Sequence, residues 1–315
     1  MPCTDSAADL GQRPVPTSSI TTLRIDAHQH FWRLARGDHG WLRADVPALA
    51  PLLRDFQPAD LQPLLAAHAV GQTVLVQAAP TEAETDELLG LASAHPAIGG
   101  VVGWVDLSRQ DAVATLQRWA GHPRFKAVRP MLQDLPEADW IARAPHPDVM
   151  RALVDLGLRF DALVQPRHLA PLLRFAQAWP ALPVMIDHAA KPPLASAWAD
   201  AWAGAWVSEW QQGLAALARQ PQVMCKFSGL LTEAGPAASA SVDAAVAALQ
   251  PVWQHLLQHF GPGRLVWGSD WPVLTLAADY SRWVAVSEAL IGCLPAADQA
   301  LVWAGNARRF YGLAA

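Results

Sequence analysis

Cysteine is scarce in this chain. Three residues in 315, Cys3, Cys225 and Cys293, are too few and too scattered for a disulfide framework or a CxxC metal site. That usage fits a reducing cytoplasm. Charge is sparse as well, at 16% of residues with a formal net charge of −5. With neither a basic footprint nor a block of like charge, nucleic acid is not an expected partner. No apolar run approaches the ~20 residues that would span a bilayer, so no membrane partner is expected either. No GxGxxG follows the first β-rich run, which counts against a dinucleotide-binding fold. Residues 1–22 lack the basic start and apolar stretch of a signal peptide and hold Pro2, Pro14, Pro16 and a run of Ser and Thr. They read as a disordered leader.

What the chain does have is apolar mass, 52% of residues, enough for one large core. Short β-rich runs alternate with longer stretches of helical period, the signature of repeated βα units and a parallel sheet. The runs are Leu23–Ala27, Thr73–Gln77, Gly100–Val105, Phe125–Arg129, Arg159–Val164, Val184–Asp187, Val223–Phe227 and Leu265–Gly268. Helical patterns over Pro147–Leu156, His168–Ala178 and Ala244–Phe260 fall between them. Eight such units favour a closed single-domain (β/α)₈ TIM barrel over residues 23–315. The interval from Phe31 to Gln72, with Trp32, Trp41 and several prolines, is longer than one helix needs and reads as a loop over the barrel mouth. Fifteen tryptophans are present, and Trp198, Trp202, Trp206 and Trp210 recur every fourth residue. That spacing is a helix stripe packed on the barrel.

In such a barrel the working residues sit at the C-terminal ends of the strands. The first run leads into His28-Gln29-His30, two imidazoles on one strand face. The sixth ends in Asp187-His188 and the eighth in Gly268-Ser269-Asp270. By alternation Val184, Ile186 and His188 share a face, as do Val266, Gly268 and Asp270, so three histidines and a carboxylate converge on one rim. Gln77, Lys126, Arg129, Gln165, Lys226 and Ser228 are further polar groups near strand ends. Lys126 and Arg129 lie on opposite faces of a regular strand, and Arg129 is nearer the rim. An unpaired ammonium at Lys226 within an apolar strand is costly; it serves either the site or an ion pair with Asp161.

Arg24-Ile-Asp-Ala-His28-Gln-His30-Phe-Trp32, Lys126-Ala-Val-Arg129, Asp187-His188, Lys226-Phe-Ser-Gly229 and Trp267-Gly-Ser-Asp270-Trp-Pro272 together resemble the lactonases of the amidohydrolase superfamily. The similarity runs from about Leu23 to the closing Asn306-Ala-Arg-Arg-Phe-Tyr311 segment. It implies hydrolysis of a sugar-acid lactone, of the L-fucono-, L-rhamnono- or L-galactono- type, by water attack on the carbonyl. The matching positions make Asp270 the general base and acid. His28, His30 and His188 are either catalytic donors or, with Asp270, ligands of one Zn-like divalent ion; metal-independent catalysis is the alternative. Other branches hold two metals through a strand-four Lys or Glu and a strand-five His. Here strand five ends in Val164-Gln165 and Lys126 sits early in strand four, so a binuclear centre is not expected. Arg129, Lys226, Gln77 and Gln165 are candidates for sugar hydroxyls, and Trp32, Trp104 and Trp271 for the ring face. A non-oxidative metal-dependent decarboxylase and a catalytically inactive carbohydrate-binding barrel are the competing readings. A homo-oligomer is left open.

Overall fold

The expected β-rich runs all become strands, with ends displaced by no more than three residues. In the computed structural model, which describes residues 24–192, 194–197 and 205–314, one parallel sheet runs in the order β1 to β8. Its strands are β1 (Arg24–Gln29), β2 (Val70–Val76), β3 (Ile98–Gly103), β4 (Phe125–Val128), β5 (Arg159–Ala162), β6 (Val184–Ile186), β7 (Val223–Phe227) and β8 (Leu265–Trp267). Helices follow the strands and cover the sheet, as in a (β/α)₈ barrel. Their starts are set by local chemistry: Thr81, Ser241 and Asp279 each accept a first-turn backbone N–H, from Glu84, Ala244 and Arg282. Each such cap contributes about 1 kcal/mol. The helical patterns read from sequence appear as Pro147–Asp155, Leu169–Ala178 and Val242–Phe260. Among the described residues no helix is long and apolar enough to cross a membrane.

Alternation along the strands sorts side chains into two packed groups. Ile25, Ala27, Val74, Val76, Val102, Ala127, Met185, Met224 and Val266 fill the barrel interior, while Val184, Ile186, Cys225 and Trp267 pack with the helices. This reverses the expected facing of β6: Met185 points inward, and Val184 and Ile186 point out. The interior is closed at its N-terminal end by Ala304, Ala307, Phe310, Tyr311 and Leu313. That segment is tied on by Asn306, which donates to the Leu265 carbonyl at 2.7 Å, and by Lys126 and Arg159, which donate to the Gly312 and Phe310 carbonyls. Of the tryptophan series, Trp198 and Trp202 lie outside the described residues. The helix Ala205–Ala218 carries the other two, and Trp210 is buried with its indole N–H on the Ala189 carbonyl at 2.7 Å. The expected leader, residues 1–22, also lies outside the described residues.

The seam between β8 and β1 completes the barrel. Here Asp270 N donates to His28 O at 2.8 Å and His30 N donates to Trp271 O at 2.7 Å. The strands approach so closely that a Cβ on Gly268 would lie 3.0 Å from the His28 backbone nitrogen. The buried Asp26 carboxylate stitches this seam, accepting from Ser269 N (2.8 Å), Ser269 Oγ (2.6 Å), His28 N (3.2 Å) and Tyr280 OH (3.0 Å). An amide oxygen can keep the two backbone N–H bonds. Its NH₂, however, would replace the acceptor shared by Ser269 Oγ and Tyr280 OH, and both hydroxyls would have to turn round. Asp26→Asn is therefore expected to cost about 2–3 kcal/mol, seen as a fall of several degrees in Tm; an unchanged melting curve would remove Asp26 from the seam's energetics.

Candidate active site

Period-two geometry carries His28 and His30 off β1 into the barrel mouth, but the other two groups arrive through left-handed backbone. β6 stops at Ile186, and the backbone then runs left-handed through His188 (φ 52°), Ala189 (49°), Ala190 (60°) and Lys191 (47°). Asp270 is left-handed as well, at φ 60°. Such conformations cost L-residues of this kind on the order of 1–3 kcal/mol each. They turn His188 inward where a plain strand, with Met185 facing in, would turn it out; Asp270 keeps the inward facing of Val266. Gly229, also left-handed, leaves room for them: a Cβ there would sit 2.5 Å from His188 Nδ1 and 3.0 Å from Asp270 Oδ2.

Three imidazole Nε2 atoms converge on Asp270 Oδ1, from His30 at 3.3 Å and from His28 and His188 at 3.7 Å. His30 Nδ1 lies 2.8 Å from the Val76 carbonyl, which can only accept. Its Nδ1 is thus the N–H, which leaves Nε2 facing the Asp270 carboxylate as the position for a proton or a metal ion. Two acceptors face to face call for a cation or a donor between them. A tetrahedral ion with bonds of about 2.0–2.1 Å has ligand atoms about 3.4 Å apart, close to the separations seen. His28, His30 and Asp270 lie close enough together to hold one ion, and His188 approaches the same carboxylate oxygen. Burial alone would push the Asp270 carboxyl up, but His188, His30 and His28 around it hold it well below the usual carboxylate range. Burial brings His188 down to about 4.

Behind His28 lies a buried charge cluster. Lys226 Nζ contacts Asp161 Oδ2 at 2.6 Å, Asp187 Oδ1 at 2.9 Å and His28 Nδ1 at 3.1 Å. Asp187 also lies 3.4 Å from His28 Nδ1 and 3.5 Å from Arg129 NH1. Tyr311 OH donates to Asp161 at 2.7 Å. Burial pushes Asp161 up to about 6, Lys226 opposing it. Asp187 is held well below its usual range because Lys226, and then His28, outweigh its burial. Burial, reinforced by Lys226, keeps His28 neutral. His28, Asp187 and His188 are close enough to form a second ligand group, but two side-chain cations already occupy its surroundings.

A cavity of about 260 Å³ opens above His30, His188 and Asp270, walled by Trp41, Leu49, Ala78, Arg129, Met131, Gln133, Leu163, Lys191, Thr232, Glu233, Val273 and Leu276. Trp41 and Leu49 come from the long segment after β1, which does reach over the mouth. Of the residues expected to bind substrate, Arg129 alone lines this cavity. Lys226 is fully buried beneath His28 and has no path to a sugar; the ion pair with Asp161 is its role. Gln77 donates to the Arg129 carbonyl at 2.6 Å and accepts from the Arg129 guanidinium, so it positions that side chain. Trp32 and Trp271 are core, packed on Phe56 at 5.2 and 5.3 Å. Trp104 borders a neighbouring cleft with Asp106 and Trp140. Gln165 lies off the cavity, accepting from Arg167 at 3.4 Å. His28 is wholly buried and meets the site only through Nε2. Sequence reasoning passed over Asp187, Trp41, Lys191 and Glu233. Counting alternation from Met185 in place of Val184 would have found Asp187; Trp41 and Lys191 sit in loops, and Glu233 in a short helical turn, without period.

Comparison with known proteins agrees with this geometry. The amidohydrolase family pattern matches residues 25–313. An L-fucono-1,5-lactonase from Burkholderia ambifaria is 44% identical over 92% of this chain and 96% of its own length. An L-fucono-1,5-lactonase from Burkholderia multivorans is 37% identical over 92% of this chain and 96% of its own. A crystal structure of an amidohydrolase from Burkholderia multivorans with bound zinc superposes with a TM-score of 0.82 at 35% identity, covering 93% of this chain and all of the other. A barrel with its histidines and carboxylate gathered at the C-terminal rim, matched along nearly its whole length, belongs to the amidohydrolase family.

Proposed function

We propose that this enzyme opens the ring of a sugar-acid lactone, L-fucono-1,5-lactone being the first candidate, with Asp270 as general base and acid. The observation that carries the reading is the convergence of three imidazoles on an ionised, buried carboxylate at the floor of a half-polar cavity. The two L-fucono-1,5-lactonase relatives support it, and the decarboxylase reading has less behind it. The two described cysteines are unpaired, in keeping with a cytoplasmic location.

Lactone opening needs a water aimed at the carbonyl carbon, stabilisation of the oxyanion, and a proton for the departing ring oxygen. Asp270 is ionised at neutral pH and takes the water proton as the new C–O bond forms. When the ring C–O bond breaks, the same carboxyl returns that proton to the alkoxide, leaving a free hydroxy acid. Arg129 is held by Gln77 at the cavity wall, a fixed positive charge for the developing oxyanion. His30, oriented by Val76, and His188, 2.9 Å from Ser228 Oγ, keep the carboxylate in place. His28, His30, His188 and Asp270 would hold one Zn-like ion, which when bound supplies Lewis acidity toward the carbonyl and lowers the pKa of water.

Purified protein is expected to release acid from a panel of sugar lactones in a pH-indicator assay. Asp270→Asn should remain folded and bind, with turnover lowered by roughly two orders of magnitude or more; near wild-type turnover in that variant removes Asp270 from the mechanism. Elemental analysis should find at most one divalent ion per chain, since Lys226 and Arg129 repel a second. Two equivalents would rule out the single-ion reading, and full activity in verified metal-free protein would leave the histidines as hydrogen-bonding groups alone. Because His188 sits at about 4 instead of 6.5, its neutral form persists as pH falls, until about 4. The acid limb of kcat/KM is therefore expected near pH 4; a limb centred near pH 6.5 would put an unperturbed imidazole in control.

A further inference from the structure

Lys191 and Glu233 face each other across the cavity wall, Nζ to Oε1 at 3.9 Å, with side chains 22% and 26% exposed. At that separation the pair is too long for a hydrogen bond. Among the described residues no other group hydrogen-bonds either side chain. Two charges, partly stripped of water and left without a close partner, are a poor stabilising device; even a well-made exposed pair is worth only about 0–1 kcal/mol. Their placement is nonetheless built. Lys191 stands at the end of the left-handed run, with φ 47° and its N–H on His188 O at 2.8 Å. A left-handed lysine is uncommon, and it carries the side chain toward the same cavity as His188. Glu233 lies in the short helical turn 230–234, just before the kink at Gly235 (φ 79°) and Pro236.

We infer that Lys191 and Glu233 form a clamp that holds one hydroxyl of the lactone ring between them, making the enzyme selective for hydroxylated lactones. A hydroxyl can accept from an ammonium and donate to a carboxylate at once. Placed about 2.8 Å from each group, its oxygen would see them at an angle of about 90°, within hydrogen-bonding geometry. Burial raises the Glu233 carboxyl, with Lys191 opposing, as for a carboxylate short of donors. Another stretch of wall, Leu49, Val273 and Leu276, is apolar, and the Trp41 indole N–H is already taken by the Ala78 carbonyl at 2.8 Å. Hydroxyl recognition therefore falls to the polar side.

The inference rests on the lactonase reading, and two substrates separate them: L-fucono-1,5-lactone and δ-valerolactone, the same ring without hydroxyls. Lys191→Asn, which suits a left-handed backbone, and Glu233→Ala are each expected to cut kcat/KM for the sugar lactone by about tenfold to a hundredfold. The loss on δ-valerolactone should be smaller by about a factor of ten, so that the preference narrows. Glu233→Gln, whose carbonyl still accepts, should recover part of it. Equal losses on both lactones, or none, in variants with wild-type melting curves overturn the clamp and leave the lactonase reading intact. A wild-type enzyme that opens neither ring overturns both.

Discussion

A lysine ammonium wholly shut off from water lies at the heart of this barrel, and the site above it stands on how that charge is met. Moving such an ion out of water costs several kcal/mol even after relaxation. Lys226 is compensated by Asp161 from β5, Asp187 from the end of β6 and the imidazole of His28 from β1. These contacts join four strands. They also fix His28 from behind, so that its Nε2 can point at Asp270. Removing any one partner leaves a buried charge unmet, which makes the cluster a strict template for the geometry at the rim.

Asp187 shows how the two halves of the site are electrically joined. Both its oxygens lack a well-aligned hydrogen bond, yet it stays ionised among Lys226, His28 and Arg129. Arg129 in turn reaches the cavity. A continuous line of alternating charge thus runs from the barrel interior to the cavity. These charges belong to the chain itself, so this side of the site is complete whenever the chain is folded.

Much of this was legible from the order of residues alone. Eight β-rich runs declared the barrel, because parallel strands buried on both faces leave short β-branched segments between helical stretches. His28, His30, His188 and Asp270 could be found because strand ends in such a barrel face one rim. The facing of β6 was misread because alternation stops at Ile186, where four left-handed residues follow; nothing in Asp-His-Ala-Ala-Lys announces that conformation. Lys226 looked like a ligand group because a charge in an apolar strand has two readings, and depth in the barrel decides between them. The cavity wall was hardest. Trp41, Lys191 and Glu233 lie on loops and a short helical turn, positions fixed by tertiary packing with no periodic trace.

The stopper at the N-terminal end of the barrel sets an order of events during synthesis. Phe310 and Tyr311 are made only after all eight strands have left the ribosome, and Tyr311 supplies the hydroxyl on Asp161 within the Lys226 cluster. A chain that has passed Asp270 therefore has every rim residue but an unfinished interior, open at one end with its ammonium cluster short of one hydroxyl. Closure of the barrel's N-terminal end and the last hydroxyl on the Lys226 cluster thus come from the same segment, which links the far end of the molecule to the setting of His28 at the rim.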